Sequence, residues 1–376
     1  MVTSLSWDAV LAWRLARQHL AERAPPAAAL DVVSDIGGLH AQVMSCAELT
    51  LWARVEDLEP DAVARALWER RTLVKTWAMR GTLHLLRADE LARYVGALAR
   101  LKPRHHVPAW LRAHGLTREQ ADAMLAAVPL ALDGAPLTRE ALAATVAGRV
   151  GEEALAGKLA GGFGDLLKPA AFTGDLCFAP NDGRLVRFTS PRRWLEGFTP
   201  PGPDEAASLA LLRTYLHAYG PAPREQFQRW FGMTSPAEAG RWLAALGGEA
   251  CEVDVEGRRG WMLAADVAEA AASAPVGVVR LLPAFDHYVV AAPRDADAVL
   301  PAAQRDRVYR PQGWLSPVVL VDGRMTGTWE RDSSGTGVTI TIAPFPRAKA
   351  AMKAGVEVEA EWLAAHLGGS LTLVWA

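Results

Sequence analysis

The fold is decided by a pattern that occurs three times in outline, and its clearest copy reads Leu176-Cys177-Phe178-Ala179-Pro180-Asn181-Asp182-Gly183-Arg184-Leu185-Val186-Arg187-Phe188-Thr189. Two apolar runs, 176–180 and 185–189, flank the four residues 181–184. Asp-Gly between apolar runs predicts a hairpin, because glycine tolerates the positive φ that a tight turn requires. The segment therefore predicts two antiparallel strands.

Helix signals precede this hairpin. Thr117-Arg118-Glu119-Gln120 is a capping box, Thr138 can cap a second helix, and 152–170 predicts a third. Three helices followed by a two-stranded hairpin are the outline of a winged helix. The central part of the chain is therefore predicted to form one.

The same order occurs on both sides. In the N-terminal part, helices are predicted first and two strands last, at 7–22, 31–46, 60–71, 72–77 and 81–86. In the later part, helices again precede strands, at 204–219, from 221, from 235, and at 251–255 and 260–263. Beyond about residue 275 the pattern becomes β-rich, with strands at 276–282, 288–292, 314–321, 324–330, 338–343 and 370–375 and a helix at 355–367.

This order predicts an α+β protein with three tandem winged-helix motifs and a β-rich C-terminal part. The expected domains are 1–115, 116–200, 201–275 and 276–376. The first would carry the candidate catalytic motif. A length of 376 residues is sufficient for several domains.

Composition narrows the class of protein. The chain is 51% hydrophobic and 22% charged, as globular proteins are. The three cysteines form no C-x-x-C pair, so we expect a reducing cytoplasm and no zinc ribbon. No signal peptide or membrane span is expected. The net charge of -2 does not exclude nucleic acid, since a local basic stripe suffices.

The tripeptide His40-Ala41-Gln42 is the main candidate for chemistry. Histidine can accept a proton near neutral pH, and a glutamine amide can orient water. The two heads could converge if the run lies at a helix end or bend. A histidine bonded to a backbone carbonyl beside a surface glutamine would give the same triplet without catalysis.

Several ordered segments resemble one family, the winged-helix DNA glycosylases of the AlkZ and YcaQ type. They are Gly38–Gln42, Leu51–Arg54, Thr76–His84, Leu167–Ala170, Tyr219–Pro221, Leu282–Asp286, Val319–Arg324 and Gly327–Trp329. They span nearly the whole chain. The resemblance implies three winged helices in a C shape around a DNA-sized channel, and monofunctional excision of alkylated bases, including bulky adducts and crosslinks.

The family motif is Q-x-Q or Q-x-D, whereas this chain has His40 at the first position and Gln42 at the second. The H-x-Q form is similar to the branch tied to self-resistance in actinobacteria. That branch removes bulky intercalated N7-guanine adducts of the hedamycin and trioxacarcin type. The resemblance therefore implies a DNA repair glycosylase acting on alkylated double-stranded DNA.

The residue types suit this chemistry. Cleavage of an N-glycosidic bond builds positive charge on the sugar, and the leaving base must usually be protonated. An N7-alkylated guanine is already cationic, so it leaves without a general acid. We expect His40 and Gln42 to position or activate water, with no metal and no organic cofactor.

DNA binding is expected from eight residues, mostly basic. Arg80, Thr82 and His84 alternate along a predicted strand and would share one face, aimed at phosphates or at the lesion, or simply at solvent. The full set of expected DNA-binding residues is Lys75, Arg80, Thr82, His84, Lys102, Arg104, Arg184 and Arg187. The adjacent His105 and His106 suggest a surface or phosphate contact rather than a metal site. A monomer is expected.

Two other functions stay open. One is a noncatalytic winged-helix DNA-binding regulator, although the third helices are rich in Ala and Leu and poor in base-reading side chains. The other is a glycosylase for small lesions such as N7-methylguanine. Asp286 and His287 are interpreted either as a hydrogen-bonded acid pair or, in preference, as a structural turn.

Overall fold

The structure, a computed structural model, describes residues 2–101, 103–162, 164–233, 235–334, 337–345 and 350–376. The fold is α+β and has a β-rich C-terminal part, as the sequence predicted. The chain forms two compact units. The first combines Met1–Ala62 with Leu212–Ala376, and the second is Val63–Leu211.

The first unit contains α-helices and two sheets of its own. Its longer α-helices are Trp7–Arg17, Ala29–Asp35, Met44–Trp52, Arg224–Phe231, Pro236–Leu246 and Ala350–His366, with short ones at Val267–Ala272, His287–Ala291 and Arg305–Val308. Its strands are Thr3–Leu5, Leu39–His40, Ala250–Val255, Arg258–Leu263, Val279–Leu282, Val318–Val321, Arg324–Ser334, Gly337–Pro344 and Ser370–Trp375. The helix Glu205–Tyr219 leads the chain back from the second unit into the first.

A three-stranded sheet joins the N-terminus to the third predicted hairpin. Ala250–Val255 and Arg258–Leu263 pair antiparallel, and the turn between them has Glu256 and Gly257 at φ 50° and 88°. Thr3–Leu5 adds to the sheet parallel to Ala250–Val255. The hairpin follows from local turn chemistry, whereas its N-terminal neighbour requires a contact across the whole sequence.

The C-terminal part is a five-stranded sheet. Its strands follow chain order, and every pair is antiparallel except Gly337–Pro344 with Ser370–Trp375. The helix Ala350–His366 supplies the crossover that a parallel pair requires. Asp322 and Gly323, which lie between the strands predicted at 314–321 and 324–330, form the turn of a hairpin, with φ 43° and 80°.

Three sequence predictions about helices and strands were wrong. The helix expected over 31–46 ends at Asp35, because Gly37 and Gly38 take φ of 73° and 96°. The strand expected over 288–292 is the helix His287–Ala291, whose first turn is capped by the Asp286 side chain. A short apolar run does not distinguish a strand from a buried helix by its periodicity.

Aromatic side chains form a core between the helices Glu205–Tyr219, Arg224–Phe231 and Pro236–Leu246. Tyr215, Phe227 and Trp230 have ring centroids 5.0 to 6.1 Å apart, and Phe231 and Trp242 extend the cluster. Rings of this size bury large apolar areas and pack with fixed geometry. The cluster gives the loop that precedes His40 a rigid neighbour, Trp230.

The second unit contains the first and second predicted hairpins. Its helices are Ala62–Trp68, Leu91–Leu98, Pro108–His114, Arg118–Ala131, Arg139–Val150, Ala154–Ala160, Lys168–Phe172 and Pro191–Trp194. Its strands are Leu73–Trp77, Leu83–Arg87, Leu137–Thr138, Cys177–Asp182 and Leu185–Thr189. The capping box at Thr117 and Gln120 is present, as predicted.

The third error concerns the helix expected over 152–170, which is divided into Ala154–Ala160 and Lys168–Phe172. Gly162 and Gly164 have φ of 64° and 77° between them. A Cβ at Gly164 would lie 2.7 Å from the Trp77 ring, so the close packing there needs glycine. Within the described ranges, none of the helices has the length and apolar character needed to cross a membrane.

Candidate active site

Two glycines place His40. Gly37 and Gly38, at φ 73° and 96°, turn the chain from the helix Ala29–Asp35 into the two-residue strand Leu39–His40. A Cβ at Gly37 would lie 2.9 Å from the Trp230 ring. The turn therefore needs glycine both for its backbone conformation and for its contact with the aromatic core.

Two buried side chains hold the carbonyl just before this turn. The Tyr219 hydroxyl donates to the Ile36 carbonyl at 2.6 Å, and His287 Nδ1 lies 3.2 Å from the same oxygen. A carbonyl only accepts, so this contact places a proton on His287 Nδ1. The backbone that leads to His40 is thus bound on two sides.

The His40 ring is buried and stacks on Phe285. The ring centroids are 5.1 Å apart with an interplanar angle of 18°, and 6% of His40 is exposed. Phe285 itself has a φ of 61°, which is a strained conformation for a bulky residue. Strain of this kind is kept only where the surroundings impose it, and it often occurs at functional sites.

A buried ion pair anchors the turn that carries Phe285. Arg54 donates to both oxygens of Asp286, at 2.7 and 2.8 Å, and both side chains are fully buried. Asp286 also accepts from the Tyr288 amide at 2.8 Å. The structure thus favours the structural-turn interpretation of Asp286, and His287 Nδ1 contacts the Ile36 carbonyl.

Gln42 lies on the surface, in the turn between the strand Leu39–His40 and the helix Met44–Trp52. The tripeptide is therefore at a strand-to-helix turn, one of the places where its two heads could converge. His40 is sheltered and fixed, whereas Gln42 is open to solvent. The pair can offer one preorganised nitrogen and one solvated amide to a substrate.

Sequence reasoning gave no role to Arg54, Tyr219 or Phe285, although all three lie in the segments that resemble the family. Arg54 did carry a signal, since a single charge that ends the apolar run Leu51-Trp52-Ala53 requires a partner if it is buried. That signal does not identify the partner. Asp286 is 232 residues away in sequence.

Arg80, Thr82 and His84 do not alternate along one strand. Arg80 lies in the turn Met79–Gly81 at φ 59°, and only His84 belongs to the strand Leu83–Arg87. His84 is fully buried, with Nε2 3.3 Å from Arg80 Nη2 and Nδ1 3.0 Å from the Thr82 carbonyl. We therefore revise its expected role, because a buried ring supports Arg80 rather than contacting phosphate itself.

Two of the other expected DNA-binding residues lie in the second hairpin. Arg184 is exposed at the hairpin turn, and Arg187 bonds the Pro180 carbonyl at 2.8 Å. Lys75 lies 5.3 Å from the Phe178 ring centre. Lys102 lies outside the described residues, and of Arg104 only the backbone is described, in the turn Arg104–His106.

His105 and His106 meet a carboxylate that the sequence did not indicate. His106 Nε2 lies 2.8 Å and His105 Nε2 3.8 Å from Asp122 Oδ1, and the three ligand atoms could surround a metal ion. Burial, and next the neighbouring His106, lower the pKa of His105. Arg118 lies 3.7 Å from the other Asp122 oxygen, so this carboxylate already has a cationic neighbour.

Known proteins resemble the chain along its whole length. Residues 33–366 match the family described as DNA glycosylase AlkZ-like. The chain is 39% identical over 373 residues to an interstrand DNA cross-link repair glycosylase of Streptomyces sahachiroi, with 97% of each sequence covered. Its structure matches that of the Streptomyces sahachiroi DNA glycosylase AlkZ with a TM-score of 0.89 and 36% identity, over 100% of both chains. The chain therefore belongs to the AlkZ-like DNA glycosylase family and is itself a DNA glycosylase.

Proposed function

We propose that this glycosylase excises bulky, cationic N7-alkylguanine adducts from double-stranded DNA by hydrolysing the N-glycosidic bond. The reaction is monofunctional and leaves an abasic site. It protects the producing cell against a genotoxic natural product. The relative named for interstrand cross-link repair supports a large lesion, and the H-x-Q form of the motif supports the adduct class.

The observation that carries the proposal is the state of Asp286. This carboxylate follows Phe285, the stacking partner of His40, yet Arg54 and the Tyr288 amide occupy its oxygens. A carboxylate whose oxygens are held by a buried guanidinium and a backbone amide is fixed in place and is not free to approach the leaving base. The site is thus suited to a base that needs no general acid.

With a cationic leaving base, the protein has only to position the water and accept its proton. Water attacks C1′ of the deoxyribose while the C1′–N9 bond breaks, and the bonding electrons neutralise the cationic base. Gln42 orients the water through its amide oxygen, and neutral His40 takes the water proton and passes it to solvent. Stacking on Phe285 keeps the imidazole in one plane during this transfer.

DNA contacts come from the second unit in this proposal. Arg80, Arg184, Arg187 and Lys75 bind phosphates, and His84 supports Arg80. The helix and hairpin groups act as three tandem winged helices with the expected bounds 1–115, 116–200 and 201–275, followed by the β-rich region 276–376. The protein acts as a monomer on duplex DNA.

The direct test is base release from a duplex with a single N7-alkylguanine adduct. We expect the double variant His40→Ala, Gln42→Ala to release the base roughly 100-fold or more slowly than the wild type, the usual contribution of a general base. Single-turnover assays with strand cleavage at the resulting abasic site measure the rate. His217→Ala, which alters a half-exposed histidine paired with Asp266, is the control and should keep the wild-type rate.

Equal rates for the double variant and the wild type would refute the assignment of the site. A panel of N7-methylguanine, bulky N7 adducts and undamaged DNA separates the other functions. A small-lesion glycosylase would prefer the methylated duplex. A regulator would bind undamaged DNA by sequence and release nothing, which family membership already disfavours.

A further inference from the structure

Trp314 is the exposed tryptophan of this protein. The chain has 14 tryptophans, and among the described residues Trp314 alone is in the exposed class, with 50% of its surface accessible. Tryptophan usually packs into cores, as Trp13, Trp52 and Trp230 do here. A large aromatic side chain left in solvent requires an explanation.

The position of Trp314 beside the candidate site explains its exposure. The Trp314 ring meets the Phe285 ring edge to face, with centroids 4.9 Å apart at 76°, and Phe285 in turn stacks on His40. Three rings therefore run in contact from the buried imidazole to the surface. Trp314 lies one ring beyond the side chain that holds the proposed base.

The backbone is bent to present this ring. Gln312 and Gly313 both have positive φ, at 59° and 78°, directly before Trp314. The Arg310 amide donates to the Trp314 carbonyl at 2.8 Å and closes the turn. Gln312 and Phe285 are both non-glycine residues at positive φ, so strained backbone lies two residues before Trp314 and at the middle ring of the row. Such strain is consistent with a site selected for function.

We propose that Trp314 is a stacking residue that binds a planar aromatic ring of the lesion-bearing DNA beside His40. The ring is either the polycyclic part of the adduct or a base unstacked at the lesion. Stacking of a base on an aromatic side chain stabilises binding substantially and tolerates many ring types. The inference rests on the proposed function, and it deepens that function by assigning a residue to recognition of the lesion.

The test compares Trp314→Ala with the wild type on two duplexes. One carries N7-methylguanine, and the other an N7-guanine adduct with a fused polycyclic ring, both with a 2′-fluorine on the lesion sugar to block hydrolysis. Fluorescence anisotropy measures Kd. We expect Trp314→Ala to bind roughly tenfold more weakly, within the range for loss of one stacked ring. A loss confined to the polycyclic duplex identifies the adduct as the stacked ring, and an equal loss on both identifies a base.

Three further variants make the test specific. Trp314→Phe should keep most of the affinity, whereas Trp314→Leu, which is apolar but lacks a π face, should bind as weakly as Trp314→Ala. Trp375→Ala, which alters a half-buried tryptophan of the last strand, should bind as the wild type does. Melting temperatures verify folding.

The proposal would be overturned if Trp314→Ala bound both duplexes within twofold of the wild type. Wild-type affinity of Trp314→Leu would overturn it as well, since bulk and not aromatic character would then suffice. If the wild type releases no base from the unfluorinated duplexes, the proposed function fails. The ratio of affinities still decides the role of Trp314 in that case.

Discussion

At the scale of single residues, the candidate site depends on charges that are fully buried. Arg54 and Asp286 lie between the helix after Gln42 and the turn that carries Phe285. Arg54 also donates to the Thr50 carbonyl at 2.9 Å, so its guanidinium joins that helix to the turn. The pair therefore shapes the surroundings of His40 by joining these two segments.

We predict that Arg54→Ala lowers the free energy of unfolding by about 3–5 kcal/mol, because it leaves the Asp286 charge buried without its partner. Urea denaturation measures the change. Arg259→Ala, which breaks an exposed pair with Glu252, is the control and should cost under about 1 kcal/mol. The double variant Arg54→Met, Asp286→Asn should recover part of the loss. If Arg54→Ala lowered the free energy of unfolding as little as Arg259→Ala does, the Arg54–Asp286 pair would not stabilise the fold.

At the scale of elements, the site is made by the interruption of a helix. The periodicity of 31–46 predicted one continuous helix, yet Gly37 and Gly38 end it and create the strand that contains His40. The glycines themselves are visible in the sequence, but whether they break a helix depends on what surrounds them. Here the Trp230 ring, and the two side chains that hold Ile36, settle the outcome.

Gly37→Ala tests this element. We expect a loss of about 2–4 kcal/mol in the free energy of unfolding, from a Cβ at positive φ together with overpacking against Trp230. Gly240→Ala is the matched control, since Gly240 lies inside the helix Pro236–Leu246 and its Cβ would meet only ordinary contacts. Gly240→Ala should raise the free energy of unfolding by about 0.5–1 kcal/mol. Equal stabilities of the two variants in chemical denaturation would contradict our account of the turn.

At the scale of the whole molecule, the net charge of -2 gives no overall attraction to DNA. The affinity for DNA must therefore come from local groups of basic residues. Two of the proposed phosphate contacts are exposed Arg184, at the turn of the second hairpin, and Arg80, in the turn Met79–Gly81. Each contact releases counterions on binding, so it contributes to the dependence of affinity on salt.

We predict that the affinity for duplex DNA falls steeply with salt and that Arg184→Ala lowers the slope of log Kd against log salt by about 0.9, the share of one phosphate contact. Binding titrations between low and physiological salt give the slope. Arg213→Ala, which removes an arginine paired in bidentate fashion with Glu249 at 2.7 and 2.8 Å, should leave it unchanged. An unaltered slope for Arg184→Ala would remove that residue from the interface.

The sequence by itself determined the elements that depend on neighbours in the chain. The hairpins at Gly183, Gly257 and Gly323, and the caps at Thr117 and Ser235, follow from turn and capping chemistry within a few residues. It also contained the family motif around His40. These signals are local, so they can be read without a fold.

Only the tertiary structure decided the surroundings of that motif. The stacking of His40 on Phe285, the pairing of Arg54 with Asp286 and the exposure of Trp314 join positions hundreds of residues apart or depend on what covers them. Burial fixes the arrangement of His40, Arg54 and Asp286, because a charge or a ring removed from water must find its partner in the folded chain. No local pattern encodes which partner that is.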